Sequence, residues 1–299
     1  MVTAIITTHN RKDLLERAIL SVLNQTYKDI ELIVVSDGST DGTDEFMQKY
    51  ESDKRVRYIS YYPGRGGNYA RNTGIKTAKG EYVAFLDDDD EWLPTKIEKQ
   101  VVKIESDSSI GLVYTGTHSI YVDDNVEFDS CPSLQGDMSK QILYNNFAGS
   151  TTTVMLRKSI LDKSGLFDEE LSAIQDYDLW MRVCQECLVS VVSEPLVNYY
   201  NYKTSGQISL NFEKYEKAYA AVNRKYESLY KQLSQKEWKD KLAGQMNSIG
   251  VKAHRAGNGP VSRLYFKKSL KYSFSYRTIL FYVMSFFDYS LLLKLRSYV

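Results

Sequence analysis

Proline is scarce in this chain, with five in 299 residues, and cysteine and histidine are scarcer, with three of each. The pair Cys184-x-x-Cys187 has no second pair and no nearby histidine to complete a zinc set, so it reads as buried, reduced thiols and suggests a reducing compartment. Net charge is absent too. Lys and Arg number 38, Asp and Glu 38, so no global basic field argues for nucleic acid. No uninterrupted apolar run of about 20 residues spans a bilayer. The opening 13 residues lack the basic start and the cleavage site of a signal peptide. What remains is ordinary globular composition, 43% hydrophobic and 25% charged. The length suits one large domain, or one with a smaller appendage.

Hydrophobic patterning divides the chain near residue 210. Short β-branched runs at 2–7, 30–36, 56–60 and 82–86 read as buried strands. Helical spacing separates them, first over 13–27, where Leu14, Leu15, Ala18, Ile19, Val22 and Leu23 make one face. Strands alternating with helices imply an α/β fold, a Rossmann-like sheet that is mainly parallel with helices on both faces. Ligands of such sheets bind beyond the carboxyl ends of the strands. Asn10, Asp37 and Asp87 each lie just past such an end and should converge on one crevice. Further strands are expected at 111–117, 119–123, 151–157, 188–193 and 196–202, with helices near 138–145, 158–164 and 176–187. Residues 1–210 then form the α/β domain. Residues 211–299 form a helical C-terminal region, with helices expected at 213–233, 235–256, 260–272 and 276–295.

The sharpest chemical feature is Asp87-Asp88-Asp89-Asp90, directly after a predicted buried strand. Four adjacent carboxylates repel one another. Hard oxygen ligands suit Mg²⁺ or Mn²⁺, which bind through one or two carboxylates plus substrate phosphates. In isolation the same run could cap a helix. Asp37-Gly38-Ser39 could accept a hydrogen bond from a base or ribose, or could simply open an Asx turn. Arg71 could meet a phosphate or pair with a nearby Asp. Gly64-Arg65-Gly66-Gly67 lacks the spacing of a dinucleotide fingerprint and the Lys-Ser/Thr of a phosphate loop. Asp176 opens a predicted helix and could be a general base or an N-cap. Trp92 and Trp180 are acceptor-side candidates as a sugar-stacking platform, or core residues.

Five segments together resemble the family-2 inverting glycosyltransferases of bacterial cell-surface polysaccharide synthesis, which have the GT-A fold. They are Thr7-Thr8-His9-Asn10-Arg11, Val35 to Asp41, Ala70 to Ile75, Phe85 to Trp92, and Gly165-Leu166-Phe167-Asp168 followed by Gln175 to Trp180. The resemblance implies a nucleotide-sugar donor, most often a UDP-sugar, and a glycan or lipid-linked glycan acceptor. It places Thr7, Thr8, Asn10, Asp37 and Arg71 at the nucleotide. Asp87-x-Asp89 matches the family's D-x-D element, with Asp87 and Asp88 at the donor, Asp88 on the ribose, and Asp89 on Mn²⁺ or Mg²⁺. Asp176 would be the catalytic base of a single inverting displacement. Two departures stand out: Gln175 replaces the usual Glu beside the base, and Tyr199-Tyr200-Asn201-Tyr202 lacks the His of the family's Tyr-Arg-x-His pattern. Two alternatives compete. One is a sugar-phosphate nucleotidyltransferase, whose glycine-rich, basic signature after the first strand is missing here. The other is an inactive sugar-nucleotide-binding module.

Residues 278–296 form a mostly apolar and aromatic segment flanked by Lys267, Lys268, Lys271, Arg277, Lys294 and Arg296. As a single helix it would lie in the interface of an anionic membrane, or dock on the preceding helices or on a second copy. The first reading makes the protein cytoplasmic and peripheral on the inner face of the plasma membrane.

Overall fold

The computed structural model describes residues 1–203 and 211–297, with side chains as far as Leu295. The expected domain boundary near residue 210 lies outside the described residues. The chain opens β1(Val2–Thr8), α1(Lys12–Leu23), β2(Ile30–Asp37), α2(Thr43–Met47), β3(Val56–Tyr61), α3(Gly67–Thr77) and β4(Tyr82–Asp87). These four strands pair in parallel, in the order β3-β2-β1-β4. Each parallel neighbour needs a crossover, and the amphipathic helices supply it. β1, β2 and β4 are buried on both faces, as a sheet covered on both sides requires, while β3 is the partly exposed edge.

The second half continues with β5(Glu91–Trp92), α4(Lys96–Glu105), β6(Ile110–Tyr121), β7(Val126–Ser130), β8(Val154–Arg157), α5(Lys158–Ser164), α6(Gln175–Val183) and β9(Leu188–Asn201). It extends the same sheet as β4-β8-β6-β9-β5, with β7 on β6. The expected parallel pairing holds through the first half and again between β6 and β9, while β5, β7 and β8 pair antiparallel. β8 runs antiparallel to both β4 and β6, because no α-helix lies between β6 and β8 to carry the chain back across the sheet. The two strands expected at 111–117 and 119–123 are one, β6. Those at 188–193 and 196–202 are also one, β9, which pairs β6 through register shifts around Gly116. β7 was not anticipated, and the helix expected near 138–145 is a single 3₁₀ turn, Gln141–Leu143.

Beyond the sheet come α7(Phe212–Lys225), α8(Glu227–Tyr230), α9(Gln235–Arg255), α10(Gly259–Tyr272), α11(Tyr276–Met284) and α12(Tyr289–Ser297). The capping box of Ser234 and Glu237 starts α9. Asn258 caps α10, which has Pro at its first turn. The continuous helix expected over 278–296 is instead two helices. They break at Asp288, whose carboxylate accepts from Ser290 N at 2.8 Å, an N-terminal capping interaction inside the presumed helix. Two apolar clusters fill the faces of the sheet. One holds Ile5, Ile33 and Phe85 and reaches α7 and α8 through Val222 and Tyr230, so the helical region shares a core with the sheet.

Candidate active site

The ends of β1, β2 and β4 lie side by side because the register pairs Thr7 with Val35 on one side and with Asp87 on the other. A cavity of about 770 Å³ opens there, lined by Thr7, Thr8, Asp37, Arg71, Asp87, Asp88, Asp89 and Asp176 among others. Eight of the expected site residues therefore meet in one place. Asn10 is not in the lining. It sits at φ 53° and its Oδ1 accepts from Thr40 N at 2.7 Å, so it ties the loop after β1 to the loop after β2.

Asp37 carries a structural duty beside any ligand role. Its carboxylate accepts from Arg65 N at 2.6 Å and from Gly66 N at 2.8 Å. Gly38 has φ +70°, and a Cβ there would strike the backbone of Gly64. Only glycine permits this approach of the loops after β2 and β3. The glycine-rich stretch is thus a partner for Asp37.

The acidic run divides by burial. Asp87 faces the cavity and pairs with Arg71, Nη2 to Oδ1 3.0 Å. Arg11 bridges the next two, at 3.1 Å from Asp88 Oδ1 and 3.2 Å from Asp89 Oδ2. Burial pushes the Asp88 carboxyl up to about 6, with Arg11 opposing the shift and Asp89 adding to it. Asp90 does not face the cavity. It is buried, accepts from Tyr200 N at 3.1 Å, and burial followed by its acidic neighbours pushes its pKa well above the usual carboxylate range.

Among the described residues no group of three or more His, Cys, Asp or Glu is arranged to hold a metal. Asp87 and Asp89, hard carboxylates in the cavity lining, fit a cation that takes its other ligands from phosphate and water.

Asp176 reaches the cavity from the first turn of α6. Ile174, just before that helix, is held at φ 53°, a costly conformation for a β-branched side chain. Asp176 is half-buried, and its Oδ1 accepts from Tyr177 N at 2.7 Å. Desolvation raises its carboxyl to about 6, against the hydrogen bond from Tyr177 and the charges of Arg71 and Lys252. A carboxyl poised there can take a proton near neutral pH. Gln175 lines the cavity beside it. Tyr202, where the family's His is missing, stands 3.4 Å from Arg17 Nη2 through its hydroxyl.

The stacking role expected of Trp92 and Trp180 is corrected. Their exposures are 2% and 0%. Trp92 Nε1 donates to Thr152 O at 2.9 Å and Trp180 Nε1 to Gly149 O at 3.2 Å. Both are core residues that satisfy their one polar atom on backbone. Cys184 is buried and Cys187 half-buried, and burial raises both thiols; Cys131 is exposed.

The sequence pattern described as Glycosyl transferase family 2 matches residues 3–165. The chain belongs to this family. It is 31% identical over 286 residues to the Escherichia coli UDP-Glc:alpha-D-GlcNAc-diphosphoundecaprenol beta-1,3-glucosyltransferase WfaP, covering 93% of this chain and 97% of that protein. Among solved structures, Staphylococcus aureus TarS 1-349 in complex with UDP-GlcNAc superposes with TM-score 0.56 at 18% identity, over 95% of this chain and 90% of that one. The mannosyltransferase PcManGT from Pyrobaculum calidifontis, in complex with GDP-Man and Mn²⁺, gives TM-score 0.56 at 16% identity, over 99% and 86%. The glycosyltransferase therefore has the GT-A fold with added C-terminal helices, and the nucleotidyltransferase alternative falls away. Sequence reasoning missed one wall of the cavity: Tyr215 and Tyr219 of α7, and Lys241, Gln245, Ser248 and Lys252 of α9. In sequence, polar residues at helical spacing look the same on a solvated face as on a cavity wall.

Proposed function

We propose that this glycosyltransferase moves a sugar, with inversion, from a UDP-sugar to a hydroxyl of a lipid-linked glycan in surface polysaccharide synthesis. The observation that carries the reading is that Asp176, with its carboxyl raised to about 6, shares one cavity with Asp87, Asp88 and Asp89. Asp176 takes the proton of the acceptor hydroxyl as it attacks the anomeric carbon. Thr7, Thr8 and Asp37 face the nucleoside, Asp37 with lone pairs beyond the two its loop uses. Asp88 meets the ribose. Arg71 holds Asp87 and presents its remaining N–H groups to the donor. Asp89, with Asp87, would hold Mn²⁺ or Mg²⁺, which supplies positive charge to offset the departing diphosphate.

The donor nucleotide is supported by the UDP-Glc in the name of the Escherichia coli relative and by the UDP-GlcNAc bound to TarS. The lipid-linked acceptor is supported by that relative's name and by the surface of α10 to α12. Phe274, Tyr276, Phe286 and Phe287 are exposed there, at 65%, 82%, 61% and 56%. Residues 259–297 carry seven basic residues against the single acid Asp288, in a chain that is neutral overall. Among the described residues no helix is long and apolar enough to cross a membrane. This surface would rest on an anionic cytoplasmic leaflet.

A panel of UDP-, dTDP- and GDP-sugars, scored by nucleotide release with Mn²⁺, with Mg²⁺ or with chelator, tests the reading. A UDP-sugar should turn over with metal and stop with chelator. Asp89→Ala should abolish the metal dependence of donor binding. No transfer or hydrolysis with any donor overturns the proposal.

A further inference from the structure

One wall of the cavity does not come from the sheet. Helix α9 presents Lys241, Gly244, Gln245, Ser248 and Lys252 to it. At 1.5 Å per residue these form one stripe about 16 Å long. A different face of α9 packs on α10: a Cβ on Gly250 would strike the Phe266 ring, and Ser269 Oγ donates to Ala243 O at 2.9 Å. The stripe is thereby turned toward the cavity by packing behind it.

Among the described residues no carboxylate lies within ion-pair distance of either lysine along it. Lys252 Nζ lies 4.0 Å from the centroid of the Tyr215 ring, and the described residues give it no ion pair. Lys241 is buried, donates to Asn223 Oδ1, and lies 4.1 Å from the centroid of the Tyr230 ring, again with no carboxylate in contact among the described residues. Ammonium groups held out of water without a counter-ion are unfavourable. Burial lowers Lys252 to about 8 and Lys241 to about 7. The cations at the strand ends differ, since Arg71 is held by Asp87 and Arg11 by Asp88 and Asp89. Lys252 interacts electrostatically with Asp176, so an anion on it sits near the hydroxyl that Asp176 would deprotonate. Beside the stripe's middle, a Cβ added to Gly244 would meet nothing within 4 Å, leaving room for a bulky ligand.

We infer that the cavity-facing stripe of α9 is a subsite for a phosphate or diphosphate carried by the acceptor, with Lys252 as its principal contact. The inference rests on the glycosyltransferase reading proposed above and deepens its acceptor half. The acceptor's anion neutralises the stripe, while its sugar hydroxyl reaches Asp176. The ring of Tyr215 holds the ammonium in place before the acceptor arrives.

Calorimetry with the full chain separates the two readings. The protein is first saturated, with Mn²⁺ present, with whichever of UDP, GDP and dTDP binds most tightly. Hexyl diphosphate, inorganic pyrophosphate and hexyl glucoside are then titrated in turn. Hexyl diphosphate should bind the nucleotide-saturated protein, and the glucoside should not. Tighter binding of hexyl diphosphate than of pyrophosphate points to a lipid-linked anion, and equal binding to a free phosphate ester. Lys252→Met should weaken hexyl diphosphate about tenfold or more and keep nucleotide affinity within about twofold, with Lys252→Arg restoring most of the loss. Four results overturn the subsite: no binding once nucleotide is bound; competition between hexyl diphosphate and the nucleotide, which assigns Lys252 to the donor; a Lys252→Met variant that binds hexyl diphosphate normally; or one that loses nucleotide as well. Failure of every nucleotide to bind overturns the donor reading and the subsite with it.

Discussion

Arg71 of α3 reaches Asp87 at the end of β4, with Nη2 3.0 Å from Oδ1, and the pair stands in the cavity with side-chain exposures of 15% and 27%. A charge pair placed at a strand end is available to a ligand on its open side. Arg71→Ala leaves Asp87 partly desolvated and facing its acidic neighbours. Nucleotide affinity should fall about tenfold to a hundredfold, as for loss of a charged hydrogen bond, while the melting temperature moves little. Titration calorimetry with the nucleotide, alongside a melt, checks both.

Asp176 should govern the acid limb of turnover. Its carboxyl is raised to about 6, and a base must be unprotonated to act. Lowering the pH through about 6 therefore protonates it, and kcat should fall tenfold per pH unit below that point. Asp88 is raised to about 6 as well, so its protonation should appear in donor KM, while that of Asp176 appears in kcat. Asp176→Asn should reduce kcat by about a hundredfold to ten-thousandfold with donor binding retained. Turnover retained in that variant would remove Asp176 from the chemistry.

Trp180 offers a test of the corrected assignment. A core role predicts that Trp180→Ala costs about 3–5 kcal/mol, read in a denaturant melt. A stacking role predicts a raised acceptor KM at unchanged stability. The 0% exposure and the bond to Gly149 O favour the first outcome.

The aromatic surface formed by α11 and the turn that follows it should bind anionic bilayers. Phe286 and Phe287 are exposed, so replacing both with Glu should leave the fold intact. The wild-type chain should float with vesicles containing phosphatidylglycerol and fall away as salt screens the basic residues. The double variant should stay in the soluble fraction at low salt. Equal flotation of the two proteins rules out this surface as the contact.

Much of the donor half was legible in the linear chain. A strand end followed by a carboxylate is a local pattern, and Asp37 and Asp87 were found because each closes a short β-branched run. Convergence then follows from parallel pairing, which aligns equivalent strand ends. Asp176 reads locally as either a general base or an N-cap, and only the resemblance to a family motif chose between the two. Nothing local separates it from Asp178, which lies two residues on and is buried in ion pairs with Arg182 and Lys225. Trp92 and Trp180 were ambiguous because an aromatic ring in the core and one in a binding site obey the same short-range pattern. Lys241 and Lys252 gave no signal, because helical spacing of polar residues does not say what faces them.

The sequence alone determined the alternation of strands and helices, the carboxylates at the strand ends, the glycines that let the loops after β2 and β3 touch, and the family. These rest on short-range periodicity and backbone sterics. Folding in three dimensions determined which of four adjacent aspartates face the cavity, that β8 enters the sheet antiparallel, that the C-terminal segment breaks at Asp288, and that α9 brings Lys241 and Lys252 to the cavity wall. Burial and distant pairing made those choices. Both are properties of contacts between residues far apart in the chain, which no local pattern records.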